Sequence, residues 1–200
     1  MNYFSRFKLV IFDLDNTLIN EEDYLFEGYK NIANYLSKKY KINNSLIEFA
    51  LVENFRLNGR TNLFNKIFDE FKIGTEELNV VLRILREFKP KNKIHLITEL
   101  RIILERLKSL NISYVILTNG NPSQQKNKIA HINWGDLLPH VIYANEIEPK
   151  PSEASFKKYL SFLDKDFDKD NILMIGDSDV DKLFAKNFGC KFSFVSNFLK

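Results

Sequence analysis

The sequence predicts an α/β protein, a parallel sheet interrupted by an inserted helical subdomain. Short, near-continuous apolar runs rich in β-branched and aromatic residues recur along the chain, as strands buried on both faces require. Helical patterns lie between the later runs, which is the alternation of crossover units. One long stretch, from about residue 22 to residue 88, carries helical periodicity and no strand signal.

The first run, residues 8–12, predicts a buried strand, and the insertion follows it. Leu25, Tyr29, Ile32 and Leu36 share one helical face. Ser45 and Glu48 form a capping-box pattern ahead of Phe49, Val52 and Phe55, which predicts a second helix. Leu63, Ile67 and Phe71 mark a third. Thr75 is the expected cap of a fourth, with Leu78, Leu82 and Leu85 on its apolar face. Pro90 and Lys91 punctuate the chain before the α/β pattern resumes. Leu100, Ile103, Leu104, Leu107 and Leu110 then line one helical face, followed by strand runs at 113–117 and 141–144. Ser152 is the expected cap of a helix carrying Phe156, Tyr159, Leu160 and Leu163 on one side. Runs at 172–175 and 192–195 flank a last helix, with Val180, Leu183 and Phe184 as its face and Gly189 as its C-cap.

Composition removes several classes. A chain of 200 residues suits one domain, or one domain with a sizeable insertion, and it is expected to bury roughly 70% of its unfolded surface. Hydrophobic residues make up 44% of it, enough for a core without staples. A net charge of +3 excludes, on composition alone, a strongly electrostatic nucleic-acid binder. Cys190 is the single cysteine, so neither an intramolecular disulfide nor a cysteine-rich zinc site is expected. No apolar run reaches the roughly 18 residues of a membrane helix. The N-terminus opens almost directly into a strand-like segment without a secretory h-region, so the expected setting is the cytoplasm.

Four features carry chemistry. The first apolar run ends in Asp13-Leu14-Asp15-Asn16-Thr17. Carboxylates at the carboxyl end of a buried strand stand where open α/β sheets place ligands. Two such charges side by side are costly unless neutralised, and hard oxygen ligands favour Mg²⁺; the same pair would also serve as turn caps. The 172–175 run ends in Gly176-Asp177-Ser178-Asp179-Val180-Asp181, where Asp177 and Asp181 stand four apart, near one ion or at an acidic helix N-terminus. The 113–117 run ends in Thr118-Asn119-Gly120, a hydroxyl, an amide and a flexible backbone suited to a phosphate oxygen or to an ordinary turn. Lys150 sits between Pro149 and Pro151, which restrict where its ammonium points, towards a phosphate or, as a linker lysine, at the surface.

Taken in order, strand-end Asp-x-Asp-x-Thr, strand-end Thr-Asn, a fixed Lys and strand-end Gly-Asp-x-x-x-Asp, the chain resembles the haloacid dehalogenase (HAD) superfamily at all four of its motifs. The resemblance implies a Rossmann-like core at 1–19 and 91–200, with an all-helical, four-helix cap of the C1 type at 20–90. It implies that Asp13 attacks phosphorus to form an aspartyl-phosphate, while Asp15 protonates the leaving oxygen and then acts as base on water. Thr118 and Lys150 match phosphate-binding positions, and Asn119 adjoins them. Asp177 matches the ligand of Mg²⁺, joined by Asp13 and the Asp15 backbone carbonyl, with Asp181 supporting. Dehalogenases lack the second aspartate, so Asp15 argues for phosphoryl transfer; Thr17, where mutases often carry glycine, favours a phosphatase.

The resulting expectation is a Mg²⁺-dependent phosphatase acting on a small soluble phosphomonoester, a sugar, polyol, glycolate or nucleotide phosphate. A phosphomutase and a non-catalytic binding protein of the same fold are the alternatives. No nucleic-acid or membrane partner is expected, and the assembly is a monomer or homodimer. Residues 55–60, between the second and third helices of the insertion, resemble a C1 specificity loop, with Arg56 or Arg60 available to the substrate or simply solvated in a turn. His95, His131 and His140 are scattered and read as structural.

Overall fold

A computed structural model describes residues 3–162 and 168–199 of the chain. Five short strands, β1 (Leu9–Phe12), β2 (Ser113–Thr118), β3 (His140–Tyr143), β4 (Ile172–Gly176) and β5 (Lys191–Phe194), form one sheet in the order β3-β2-β1-β4-β5. Every pairing is parallel, with Phe12 opposite Ile116 on one side and Ile175 on the other. The central strands are the most apolar because both their faces are covered: all of β1 and β4 is buried. The α/β class read from the sequence is therefore the observed one.

The chain divides into two compact units, residues 1–21 with 93–200, and residues 22–92. In the first, the helices are α5 (Thr98–Ser109), α6 (Pro122–His131), α7 (Ala154–Phe162) and α8 (Asp179–Phe188). Alternate residues of the strands, Leu9, Ile11, Val115, Leu117, Ile172 and Met174, pack against Phe156 of α7 and Phe184, Ala185 and Phe188 of α8. The three phenylalanine rings meet edge-to-face or stacked with centroids 5.0–6.1 Å apart. Leu100, Leu104 and Leu107 are the buried stripe of α5, which packs on β2. Asn111 follows that helix in the left-handed region, φ 56°, a conformation asparagine tolerates. Ser152 accepts from the Ala154 amide at the start of α7; Leu163 lies outside the described residues. His140 stacks on Tyr159, and His131 Nδ1 lies 2.8 Å from the Asn127 carbonyl, both local packing roles.

The helical unit holds α1 (Glu21–Tyr40), α2 (Asn44–Asn58), α3 (Leu63–Phe71) and α4 (Leu78–Glu87), four helices as expected. Two expected caps are displaced. Asn43, not Ser45, caps α2, its side chain accepting from the Ser45 amide. Thr75 opens a single 3₁₀ turn, and Glu77 is the residue preceding α4. In α2, Ile47, Ala50 and Leu51 are buried and Phe49 is 66% exposed, against the expected face. Residues 55–58 remain helical, and the chain leaves α2 at Gly59, φ 61°. In α8 the face is turned as well: Val180 and Leu183 are 41% and 43% exposed, and Asp181 is buried in their stead. No helix among the described residues is long and apolar enough to cross a membrane.

Within the helical unit, Glu77 ties the end of α1 to the start of α4. Its buried carboxylate accepts from Tyr35 at 2.7 Å, from Tyr40 at 3.0 Å and from the Lys39 ammonium. These donors, Lys39 first, hold its carboxyl below the ordinary value. The stability this contributes is present above the unfolded carboxylate pKa and is lost as pH falls through the lower folded one. Glu77→Gln is expected to cost about 1–3 kcal/mol at pH 7. The cost should shrink in acid, as read by urea denaturation at both pH values. An equal cost at neutral and acid pH would mean that the charge of Glu77 contributes nothing.

Candidate active site

The parallel sheet ends three neighbouring strands at one edge, and each exit carries a polar side chain. Asp13 leaves β1, its amide donating to the Ile175 carbonyl at 3.0 Å, so the strand register continues through it. Thr118 is the last residue of β2. Asp177 follows Gly176, the last residue of β4. Beyond Asp13 the Leu14 carbonyl accepts from Leu18 at 2.9 Å and from Ile19 at 3.2 Å, closing the turn that carries Asp15. Asn16 stands in the left-handed region of that turn, φ 54°, and its side chain accepts from the Glu21 amide at the start of α1. Thr17 is fully buried, and its hydroxyl has no hydrogen-bond partner among the described residues.

Asp181 is brought to Asp13 by the start of α8. Ser178 is the N-cap and Asp181 the N3 residue of a reciprocal capping box: Asp181 Oδ2 accepts from the Ser178 hydroxyl at 2.7 Å and amide at 3.2 Å. Its other oxygen accepts from Lys150 Nζ at 2.6 Å, and the same ammonium donates to Asp13 Oδ1 at 2.5 Å. Asn119 fixes the Lys150 backbone with a pair of bonds, donating to the Lys150 carbonyl at 2.9 Å and accepting from the Lys150 amide at 2.8 Å. The Asn119 side chain is thus a brace for Lys150. Gly176 is needed because a Cβ there would stand 2.4 Å from the Asp181 carboxyl carbon.

Carboxylate oxygens of Asp13, Asp177 and Asp181 all lie within 4.8 Å of one another. Burial pushes the Asp13 carboxyl up to about 7; Lys150 pulls against that rise while Asp181 and Asp15 add to it. Asp177, exposed, is also raised, by partial burial and by Asp181. Burial opposes the Lys150 charge, yet Asp13 and Asp181 together hold its ammonium above the ordinary value. Three acidic oxygen donors this close, with one ammonium among them, fit a divalent cation of the Mg²⁺ type. Asp13 and Asp177 would hold the ion, with Asp181 in support.

Asp15 has different neighbours. Both its oxygens accept from Lys128 Nζ, at 2.7 and 2.8 Å, and Oδ2 also accepts from the Gln125 amide at 2.9 Å. Gln125 donates to Thr118 Oγ1 as well, at 2.6 Å. Lys128 and Gln125 were not singled out by the sequence motifs. The available signal was the spacing of Gln125, Lys128, Ile129 and Ile132, an inward face of which half is polar. Arg60 belongs to the helical unit, exposed in the turn between α2 and α3. Arg56, also exposed, pairs with Glu53 at 3.3 Å.

The sequence model of haloacid dehalogenase-like hydrolases matches residues 10–195. The chain belongs to that family. A glyceraldehyde 3-phosphate phosphatase of Pyrococcus abyssi is 37% identical over 93 residues, a match spanning 46% of this chain and 38% of that protein. The glyceraldehyde 3-phosphate phosphatase of Pyrococcus furiosus is 27% identical over 203 aligned positions, 93% of this chain and 79% of the relative. Among solved structures, the HAD hydrolase YfnB of Bacillus subtilis, bound to magnesium, superposes with a TM-score of 0.63 at 17% identity, over 98% of this chain and 91% of that one. The fold is thus that of the family, and the sequence relatives matched are phosphatases.

The closeness of Gly176 and Asp181 can be measured. Gly176→Ala is expected to cost about 1–3 kcal/mol of stability, and well under 1 kcal/mol when Asp181→Ala is already present. Equal costs in the two backgrounds would show that the Asp181 carboxyl is not what excludes a side chain at 176.

Proposed function

We propose that the protein is a Mg²⁺-dependent phosphatase that hydrolyses a small phosphorylated metabolite through an aspartyl-phosphate on Asp13. The observation that carries this reading is the Lys150 ammonium bonded at once to Asp13 and Asp181, beside Asp177, at the carboxyl edge of the sheet. A sugar phosphate of three carbons is the first candidate, since both sequence relatives are named for glyceraldehyde 3-phosphate. The protein is expected to act in the cytoplasm, as a monomer or homodimer.

In this reading Asp13 supplies the attacking oxygen, and an ion held by Asp13, Asp177 and the Asp15 backbone carbonyl, with Asp181 in support, would supply charge neutralisation for the phosphoryl group. Lys150 adds a second positive charge, held in place by Asn119. The Thr118 hydroxyl, at the end of β2, binds a phosphoryl oxygen in this reading. Asp15 donates a proton to the leaving oxygen as the P–O bond breaks, then takes one from the water that attacks the aspartyl-phosphate. Residues 20–90 serve as the cap that selects the substrate, with Arg60 in its α2–α3 turn available to a second polar group of the ligand.

The test is phosphate release from a panel of sugar, polyol, glycolate and nucleotide phosphates. Turnover with MgCl₂, its loss in EDTA and its return on adding Mg²⁺ are expected. Asp13→Asn should lower turnover by about three orders of magnitude or more while the thermal melt remains cooperative. Turnover by Asp13→Asn near that of the parent, or full activity in EDTA, would remove this mechanism. Arg60→Ala should raise KM for the preferred metabolite more than for a small aryl phosphate; equal changes in both would take Arg60 out of substrate recognition.

A further inference from the structure

The four sequence motifs leave α6 without a role, yet its inner face holds Asp15. Lys128 is fully buried, and its ammonium donates to both Asp15 oxygens, at 2.7 and 2.8 Å, and to Glu21 Oε1 at 2.8 Å. Gln125, three residues earlier on the same helix, is also buried. Its amide bridges Asp15 Oδ2 at 2.9 Å and Thr118 Oγ1 at 2.6 Å. An ammonium taken out of water is tolerated only when paired and fully bonded, so a helix that buries one is built around its partners. Asp15 lies in a turn, where its side chain would otherwise be free to rotate; three contacts from one rigid helix leave it a single orientation.

We propose that Lys128, seconded by Gln125, is a positioning residue that aims the Asp15 carboxyl at the bond being broken and made. The inference rests on the phosphatase reading given above. In the first step an Asp13 oxygen bonds to phosphorus, the bond from phosphorus to the leaving oxygen breaks, and a proton passes from Asp15 to that oxygen. In the second, a water oxygen bonds to phosphorus, the Asp13–phosphorus bond breaks, and the water's proton passes to Asp15. A misaimed Asp15 slows both steps for an alkyl phosphate. An aryl phosphate with a strongly acidic phenol leaves without a proton, so only its second step should suffer.

That asymmetry gives the test. In Lys128→Met, rapid mixing with 2,4-dinitrophenyl phosphate and Mg²⁺ should release a burst of about one dinitrophenol per enzyme, followed by a slow steady rate. On a sugar phosphate the same variant should show no burst and a kcat about 10² to 10³ lower, with KM changed by less than about threefold. Removing Lys128 leaves Asp15 and Glu21 without their shared cation. If the single variant does not fold, Lys128→Met combined with Glu21→Gln, and separately Gln125→Met, should give the same burst. Equal losses on both substrates with no burst, in every variant that folds, would overturn the proposal and leave Lys128 a structural residue. A parent enzyme that releases phosphate from neither substrate would instead overturn the phosphatase reading, and this inference with it.

Discussion

The ammonium of Lys150 between Asp13 and Asp181 is the contact on which the rest of the site depends. Both carboxylates are buried, and two like charges in a low-dielectric edge repel strongly unless a cation stands between them. Backbone structure sets up the conflict. Parallel pairing of β1 with β4 sets Phe12 against Ile175, so Asp13 and Asp177 leave the sheet within one residue of the same level. Gly176 then lets the first turn of α8 approach closely enough to add Asp181. Lys150 relieves part of that repulsion, and the prolines and Asn119 around it hold its backbone where it can.

A second ammonium does a separate task a few residues away. Lys150 serves Asp13 and Asp181, while Lys128 serves Asp15 and Glu21. Acidic groups outnumber these two cations, and Asp177 has neither ammonium as a bonded partner. The surplus of negative charge lies on the Asp177 side, which is where a divalent cation would be held. The division also separates two chemical roles within one loop: Asp13 faces Lys150 and the acidic cluster, and Asp15, two residues on, faces α6. Alternation along an extended chain would have placed them side by side; beyond Asp13 the chain turns at the Leu14 carbonyl, and the two carboxylates take different bonded partners.

The strands were legible because burial on both faces of a parallel sheet demands short apolar runs, and few other structures do. Their ends shifted by a residue or so, as at β3 and β5, where polar His140 and Lys191 begin the strand at exposed positions. Helix faces were less legible. In α8 the apolar Val180 and Leu183 point outwards because the capping box and Lys150 turn Asp181 inwards. In α2 the side that carries Ile47, Ala50 and Leu51 is buried, and Phe49 is exposed. The motif aspartates, Thr118 and Lys150 could be found through the resemblance to the family's four motifs, whose order and spacing they match. Lys128 could not: α6 carries two lysines within three residues, and only the helix phase shows that Lys126 reaches Glu146 at the surface while Lys128 turns into the core.

Covalent chemistry at one side chain is the centre of this account, and acid-quenched enzyme analysed by peptide mass spectrometry reports on it directly. During turnover with Mg²⁺ and a sugar phosphate, one phosphoryl group should be found on the peptide that contains Asp13, and fragmentation should place it on that residue. A phosphoryl group on another side chain, or turnover with none on the protein under conditions that trap an acyl phosphate, would contradict it.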